Sequence, residues 1–538
     1  MFPDEIYAIV LVSIILALVC VNLLRKTHNM LQHARALFSK HLIFTDAVPK
    51  TRWSASCSWR TITGQAVVIG AELFVVLYQM SSIQSAARRA GETAIINMGL
   101  LYLGPHLSYQ ADWLNTSLAT IRWIHRGAAV SFAIMTAFHV AVLRPSQSPF
   151  TWPLTAQCYG VIAALALAAT LVLCIRPLRR PSFELFLRTH QFLAVGSLYA
   201  IGMHVRNSRD AVARFGAIGI AVCFVASGTG QVLQVLVRHC FFYHGLPRAR
   251  IVQVCHVVRI SVDTSVPITV RAGQYVNVYM PGVSFWSWLQ SHPFTVAAVQ
   301  RRGPGTTLEL MVEPRRGWTS KLVSRARNVG LGDEPLSGQQ LYIAFFSGPH
   351  GRTIDVDNYS VVVMVASGWG VIAQIPYLQH LISGYNNSTT KVRRIHLIWQ
   401  LSAVDDGVPA EDLLNQALLE DTLDNGYILR ISVHYCHGRL SPEERHPGQR
   451  VTFFEGVADW HNLINDELRQ PLVLPEHQHK EVSNDLAPKP HVSAFVTERR
   501  RVVVMVSAAE LIRRQVRDAC KPHLSPQLRL VELDYQPN

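Results

Sequence analysis

The chain has 538 residues, 49% of them hydrophobic, a mean hydropathy of +0.18 and a formal net charge of +14. That length exceeds one ordinary domain, and the hydropathy lies between that of a soluble enzyme and that of a wholly embedded protein, so a membrane half joined to a soluble half is expected. The positive charge falls in short loops between apolar runs rather than in a patch suited to nucleic acid, and nine scattered cysteines without CxxC or CxxCH give no support to zinc, iron–sulfur clusters or covalently attached haem.

Seven apolar segments reach the roughly 20 residues that a bilayer crossing needs. They lie near 5–24, 62–83, 94–114, 121–143, 157–175, 183–205 and 213–238. The first has an acidic start (Asp4, Glu5) and no basic flank before it, so it reads as an anchor or first span rather than a cleaved signal. Arg25, Lys26, Arg35, Lys40, Lys50, Arg52 and Arg60 follow it against one acid, Asp46, and Arg176, Arg179 and Arg180 fill a later loop. Both loops are expected on the cytosolic side, which puts the N-terminus outside and everything after residue 240 in the cytosol. The Asn115-Thr-Ser sequon then falls on the cytosolic side and is expected to be unused.

Two of these segments carry histidine pairs. His125 and His139 are fourteen residues apart, and so are His190 and His204. At about 100° per residue, fourteen steps end about 40° short of four full turns, so each pair shares one helix face. At about 1.5 Å per residue the two members stand about 21 Å apart, one near each side of the hydrocarbon core. One intervening span makes the two helices parallel. His125 therefore meets His190 at the inner depth, and His139 meets His204 at the outer depth. A lone intramembrane histidine is ordinarily a helix–helix hydrogen-bonding residue. Two pairs with identical spacing on parallel helices fit bis-histidine ligation of two stacked b-type haems instead. Arg122, Arg126 and Arg188 flank the inner depth and Arg89, Arg144 and Arg206 the outer one, where haem propionates need cations. His106 has no partner at this spacing and reads as structural.

From about 245 the pattern turns to β-like alternation, as in "RIVQVCHVVRISV" and "QYVNVYM". "SHPFTVAAV" follows, then "RRGWTSKL", a small turn opening a helix whose N-terminal amides suit a pyrophosphate. After "FFSGPHGRT" the chain becomes α/β. "YSVVVMVASGWGVIAQIPYLQHLI" reads as strand, glycine turn and helix, the arrangement that holds a dinucleotide phosphate. "RRIHLIWQLS" and "RRRVVVMVSAAELIRRQVRDAC" add further strands and a helix. Residues 438–499, rich in Pro, His and charge, read as a variable insertion of loop and short helix. The expected organisation is N-terminal spans with a basic loop over 1–92, a transmembrane haem domain over 93–240, an antiparallel β-barrel FAD domain over 246–352 and an α/β nucleotide-binding domain over 356–538.

In this order the motifs resemble the fungal ferric and cupric reductases of the transmembrane flavocytochrome b superfamily, which also includes the NADPH oxidases. The resemblance covers nearly the whole chain, and the twin histidine pairs are its most specific part. It implies FAD, NADPH and two b-type haems as cofactors, with His125, His139, His190 and His204 as the axial ligands. It implies flavin contacts at His292, Pro293, Phe294 and Thr295, with the Thr295 hydroxyl near the ring. Gly317, Trp318, Thr319 and Ser320 match the pyrophosphate loop. Gly348, Pro349 and Gly351 match Gly-Pro-Tyr-Gly, with His350 in the tyrosine place, and Ser367, Gly368 and Gly370 match the nucleotide loop. Arg88–Gly91 matches an Arg-x-Gly that precedes the third span. Ser507 falls at the Cys/Ser position near the nicotinamide, but Ala508 and Ala509 replace Gly-Pro, and the chain ends "ELDYQPN" without a terminal aromatic.

The resemblance implies an NADPH-dependent metalloreductase in a multi-pass membrane setting, the plasma membrane first and a vacuolar or other internal membrane second. Electrons would pass to ferric or cupric ions, or to their siderophore chelates, on the far side. An iron permease or oxidase partner is left open. A superoxide-producing oxidase uses the same parts, but short outer loops and the lack of an EF-hand calcium motif favour the metalloreductase. A redox-inactive membrane relative is the alternative that the Ala508-Ala509 departure leaves.

Overall fold

The computed structural model describes residues 34, 37–48, 57–143, 156–208, 210–239, 246–283, 287, 290–328, 340–422, 427–441, 445, 450–469 and 500–535. The chain divides into two units. One comprises Asp46–Ile354 with Tyr535–Asn538, the other Met1–Thr45 with Asp355–Asp534.

The first unit opens with helices α1 (Trp59–Leu77), α2 (Ile83–Leu101), α3 (Leu107–Trp113), α4 (Leu118–Leu143), α5 (Ala156–Leu173), α6 (Phe183–Val205) and α7 (Ala211–Val237). Among the described residues four of these, α1, α4, α5 and α7, are long and apolar enough to cross a membrane. α2 and α6 match them in length but carry charge, Arg88, Arg89 and Glu92 in the one and Glu184 and Arg188 in the other. The expected span at 5–24 lies outside the described residues. Phe192 and Val67 are 77% and 72% exposed, and apolar side chains this bare face lipid rather than water.

The span expected at 94–114 is corrected. α2 begins eleven residues earlier and ends at Leu101, and α3 starts afresh at Leu107. Gly104-Pro105 lies between them. Proline has no N–H to continue the ladder and disfavours helical geometry in the residue before it. Arg88–Gly91, expected ahead of a span, is therefore inside α2. Ser82 caps that helix, accepting from the Ser85 N–H at 3.2 Å.

The same unit continues into an eight-stranded sheet. Its main strands are β1 (Arg248–Val254), β2 (Val257–Thr264), β3 (Tyr275–Tyr279), β4 (His292–Arg302), β5 (Gly305–Val312) and β6 (Phe345–His350), in the order β6-β3-β4-β5-β2-β1 with all neighbours antiparallel. Helix α8 (Trp318–Arg325) packs on it. The core beneath is one apolar cluster built on Ile260, Val278, Leu308, Leu310, Leu322 and Phe346. Burying such side chains contributes about 1.5–3 kcal/mol each.

The second unit is a parallel sheet in the order β10-β9-β8-β7-β11-β12: β7 (Val361–Ser367), β8 (Arg394–Ala403), β9 (Leu429–His437), β10 (Val451–Glu455), β11 (Val502–Ser507) and β12 (Leu528–Glu532). Helices α9 (Val371–Asn386), α10 (Val408–Glu420), α11 (Trp460–Arg469) and α12 (Glu510–Cys520) join and flank the strands. "VVVMVA" in β7 and "VVVMV" in β11 are buried along their whole length, as parallel strands covered on both faces must be. The stretch read as an insertion holds β10, which pairs with β9, and α11, whose Trp460 and Ile464 join the sheet's core. Polar composition hid a short edge strand there; residues 470–499 lie outside the described residues.

Candidate redox site

The histidine pairs meet as their spacing requires. The ring centroids of His125 and His190 are 6.3 Å apart, and those of His139 and His204 are 6.4 Å apart. Two imidazoles on one iron, each with a metal–nitrogen bond of about 2 Å and about 1.1 Å more from nitrogen to ring centre, stand about 6 Å apart. Both pairs therefore fit an iron between them. They differ in what stands behind the rings. His139 Nδ1 is 2.9 Å from the Ala87 carbonyl and His204 Nδ1 is 2.7 Å from the Ala156 carbonyl. The Nδ1 atoms of His125 and His190 are buried with no hydrogen-bond partner among the described residues.

The flavin-motif residues gather on β4, β6 and α8, with β3 pairing beside β4. Phe294 and Trp318 are buried in the sheet's core, and His292 stacks face to face on Trp318, with centroids 4.2 Å apart and planes 12° from parallel. Burial, reinforced by the charge of Arg188, pushes the His292 imidazole down to about 4. Its Nε2 is buried with no partner among the described residues. Pro293 lies opposite Asn277 on β3. Thr295 lies opposite Tyr275, and its hydroxyl donates to the Tyr535 carbonyl at 2.7 Å. The Tyr535 hydroxyl in turn donates to the Met311 carbonyl at 2.8 Å. The chain's last described residue thus brings an aromatic ring to the Thr295 strand without being terminal.

At the expected pyrophosphate loop, Gly317 has φ +86°, open to glycine at little cost, and caps α8. The Trp318 N–H donates to the carboxylate of Glu184, from the start of α6. That carboxylate stands in for an oxyanion at a helix N-terminus, so the seat takes the charge a pyrophosphate carries. Thr319 Oγ1 accepts from the Arg315 N–H at 2.8 Å, and the Ser320 hydroxyl donates to the Gly317 carbonyl at 2.7 Å. Both fix the turn.

Gly348, Pro349 and Gly351 surround His350, whose ring is buried. Its Nδ1 lies 2.6 Å from Asp112 Oδ2 and its Nε2 lies 2.8 Å from Ser347 Oγ, while the Gly351 N–H donates to Asp112 Oδ1 at 2.9 Å. Asp112 belongs to α3, so this carboxylate ties the helical part of the unit to β6. Arg238, past the end of α7, donates to the Gly348 carbonyl on the same strand.

In the parallel sheet, β7 and β11 are neighbours, and their C-terminal ends meet with Ala366 opposite Ser507. The crevice beyond the carboxyl ends of parallel strands is where such sheets bind nucleotides. Gly368 has φ +48°, and a Cβ on Gly370 would stand 1.9 Å from the Ser507 carbonyl oxygen, so only glycine permits this approach. The Ser367 hydroxyl oxygen accepts from the Ala509 N–H at 2.7 Å, so the strand-end serine bonds to the Ala508-Ala509 turn that replaces Gly-Pro. Ser507 Oγ is buried with no partner among the described residues, a donor left over for a ligand.

Three family models match: a ferric reductase-like transmembrane component over residues 90–201, an FAD-binding domain over 247–354 and a ferric reductase NAD-binding domain over 359–455. Together these matches make the chain similar to the ferric reductases, with a transmembrane component followed by FAD- and NAD-binding domains. It is similar to ferric/cupric reductase transmembrane component 2 of Saccharomyces cerevisiae, 26% identical over 49% of this chain and 34% of that protein. It is also similar to ferric reduction oxidase 4 of Arabidopsis thaliana, 22% identical over 51% and 37%, and to ferric reductase transmembrane component 3 of Saccharomyces cerevisiae, 26% identical over 53% and 36%. The match spans about a third of the length of these relatives.

The informative additions to the site are residues that no sequence motif singles out. Glu184, Asp112 and Tyr535 sit far along the chain from the motifs they touch, so no local pattern announces them. Gly160 was also missed. A Cβ there would stand 2.8 Å from His204 Nδ1, just as one on Gly91 would stand 2.6 Å from His139 Nδ1.

Proposed function

We propose that the protein is a transmembrane metalloreductase that passes electrons from cytosolic NADPH through FAD and two b-type haems to ferric or cupric ions, or their chelates, on the far side of the membrane. The observation that carries the reading is the pair of facing histidine couples, 6.3 and 6.4 Å between ring centres, in one chain with flavin and nucleotide domains. When bound, the nicotinamide supplies a hydride, the flavin divides it into single electrons and the haem irons carry these one at a time.

The chain's own residues have separable tasks. His125 and His190 hold the inner iron; His139 and His204 hold the outer one. Gly317 and the α8 N-terminus receive the flavin's diphosphate, and Thr295 offers a hydroxyl beside its ring. Gly368 and Gly370 let backbone approach the dinucleotide, and Ser507 offers its free hydroxyl near the nicotinamide. The acceptor side needs no acid or base, because one-electron reduction of a metal ion moves no proton. Relatives named for ferric and cupric reduction support metal ions as acceptors.

His139→Ala tests the route. Anaerobic NADPH should still bleach the flavin and reduce the inner haem, while the outer haem and ferric-chelate reduction are lost. A wild-type protein whose reduced-minus-oxidised spectrum shows no haem after NADPH addition overturns the reading. Superoxide dismutase should leave acceptor reduction unaffected; inhibition would instead identify an oxidase.

A further inference from the structure

The outer histidines rest on two copies of the same backbone device. On α2, the Ala87 carbonyl meets His139 Nδ1, and Gly91 follows four residues later. On α5, the Ala156 carbonyl meets His204 Nδ1, and Gly160 follows four residues later. In a helix the carbonyl of residue i points at the N–H of residue i+4, and the side chain at i+4 leans back over that turn. A Cβ at i+4 therefore covers the carbonyl. At Gly91 it would lie 2.6 Å from His139 Nδ1 and 2.9 Å from Cε1; at Gly160 it would lie 2.8 Å from both Nδ1 and Cε1 of His204. Two helices thus open the same gap, and each fills it with an imidazole.

A carbonyl oxygen only accepts, and its second lone pair is available beside the helical bond. Each outer ring must then carry its proton on Nδ1, which leaves the Nε2 lone pair directed away from the seat. The inner rings have no such partner among the described residues. Outer-shell acceptors of this kind fix ring orientation and raise ligand basicity.

We propose that Gly91 and Gly160, acting through the Ala87 and Ala156 carbonyls, are positioning residues that set the tautomer, orientation and donor strength of the outer histidines alone. The two iron sites would then differ by design in their surroundings although their ligands are identical. The proposal rests on the haem reading above. Both seats also read as small residues four apart, the pattern of plain helix packing, so the test must separate the two roles.

The full-length protein in detergent is assayed as wild type, Gly91→Ala, Gly160→Ala and Gly99→Ala. Gly99 lies on α2, but a Cβ there would approach Ile220 no closer than 4.0 Å, which makes it the packing control. Haem per chain and a spectroelectrochemical titration are read. Gly91→Ala and Gly160→Ala should each retain the outer haem about 10–100-fold less tightly, or shift its wave to higher potential, with the inner wave unmoved. Gly99→Ala should match wild type. Both variants keeping two haems at wild-type potentials overturns the proposal, as does equal loss from both sites. Electron–nuclear double resonance on unsubstituted protein gives a check that needs no variant: the outer pair should show an exchangeable, hydrogen-bonded Nδ1 proton, and its absence overturns the proposal. Wild-type protein without any haem overturns the function reading itself, a different and recognisable result.

Discussion

His292 shows how one side chain links the flavin motif to stability. Its ring lies flat on Trp318, and burial, aided by Arg188, holds its imidazole down at about 4 against an ordinary value near 6.5. Between those values the unfolded chain binds a proton that the folded chain refuses. Stability is then complete above about pH 6.5 and falls as pH drops through that window. A thermal-shift series of the detergent-solubilised protein from pH 7.5 to pH 4 should show a falling midpoint, and His292→Phe, which keeps the stack, should flatten part of that fall. An unchanged slope in the variant would place the sensitivity elsewhere, with His434 next in order because burial also pushes it down to about 4.

At the scale of elements, helix α8 is held by an anion from another helix. The Glu184 carboxylate accepts the Trp318 N–H where a diphosphate is expected, and one seat takes one anion at a time. Glu184→Gln keeps the shape and removes the charge, whose worth at a helix N-terminus is about 0.3–1 kcal/mol. FAD affinity, read from flavin fluorescence quenching, should rise up to about fivefold; weaker binding would show that Glu184 supports the cofactor rather than competing with it. Such a contact marks the limit of the sequence. Fourteen-residue spacing fixed the meeting of His125 with His190 and of His139 with His204, because helix periodicity is a local rule. The strand–glycine–helix unit over Val361–Asn386 and the strand–helix unit over Val502–Cys520 were legible for the same reason. The span expected at 94–114 failed because hydropathy ran on through Gly104-Pro105 while backbone chemistry stopped there. Glu184, Asp112, Gly160 and Tyr535 act on partners between 44 and 240 residues away, and no window along the chain contains both members.

At the scale of the molecule, one hydrogen-bonded carboxylate bears on sidedness for half the chain. Asp112 bonds to His350 at the end of strand β6 and to Gly351 just past it, so α3 and the turn after it share a membrane side with the flavin sheet. Arg238 grips the same strand from the end of α7. Asn115 lies three residues beyond Asp112, exposed and with φ +48°. It is an accessible sequon by local geometry, and only its side of the membrane can protect it. From the basic loops that side is expected to be cytosolic, where no glycan is added. Expressed in a eukaryotic host, the protein should therefore show no mobility change on endoglycosidase treatment that Asn115→Gln abolishes. A glycan at Asn115 would turn the whole first unit over, carrying the flavin sheet to the outer face. The His139–His204 pair would then be the one nearer the cytosol, and the proposed electron path would run in the opposite direction.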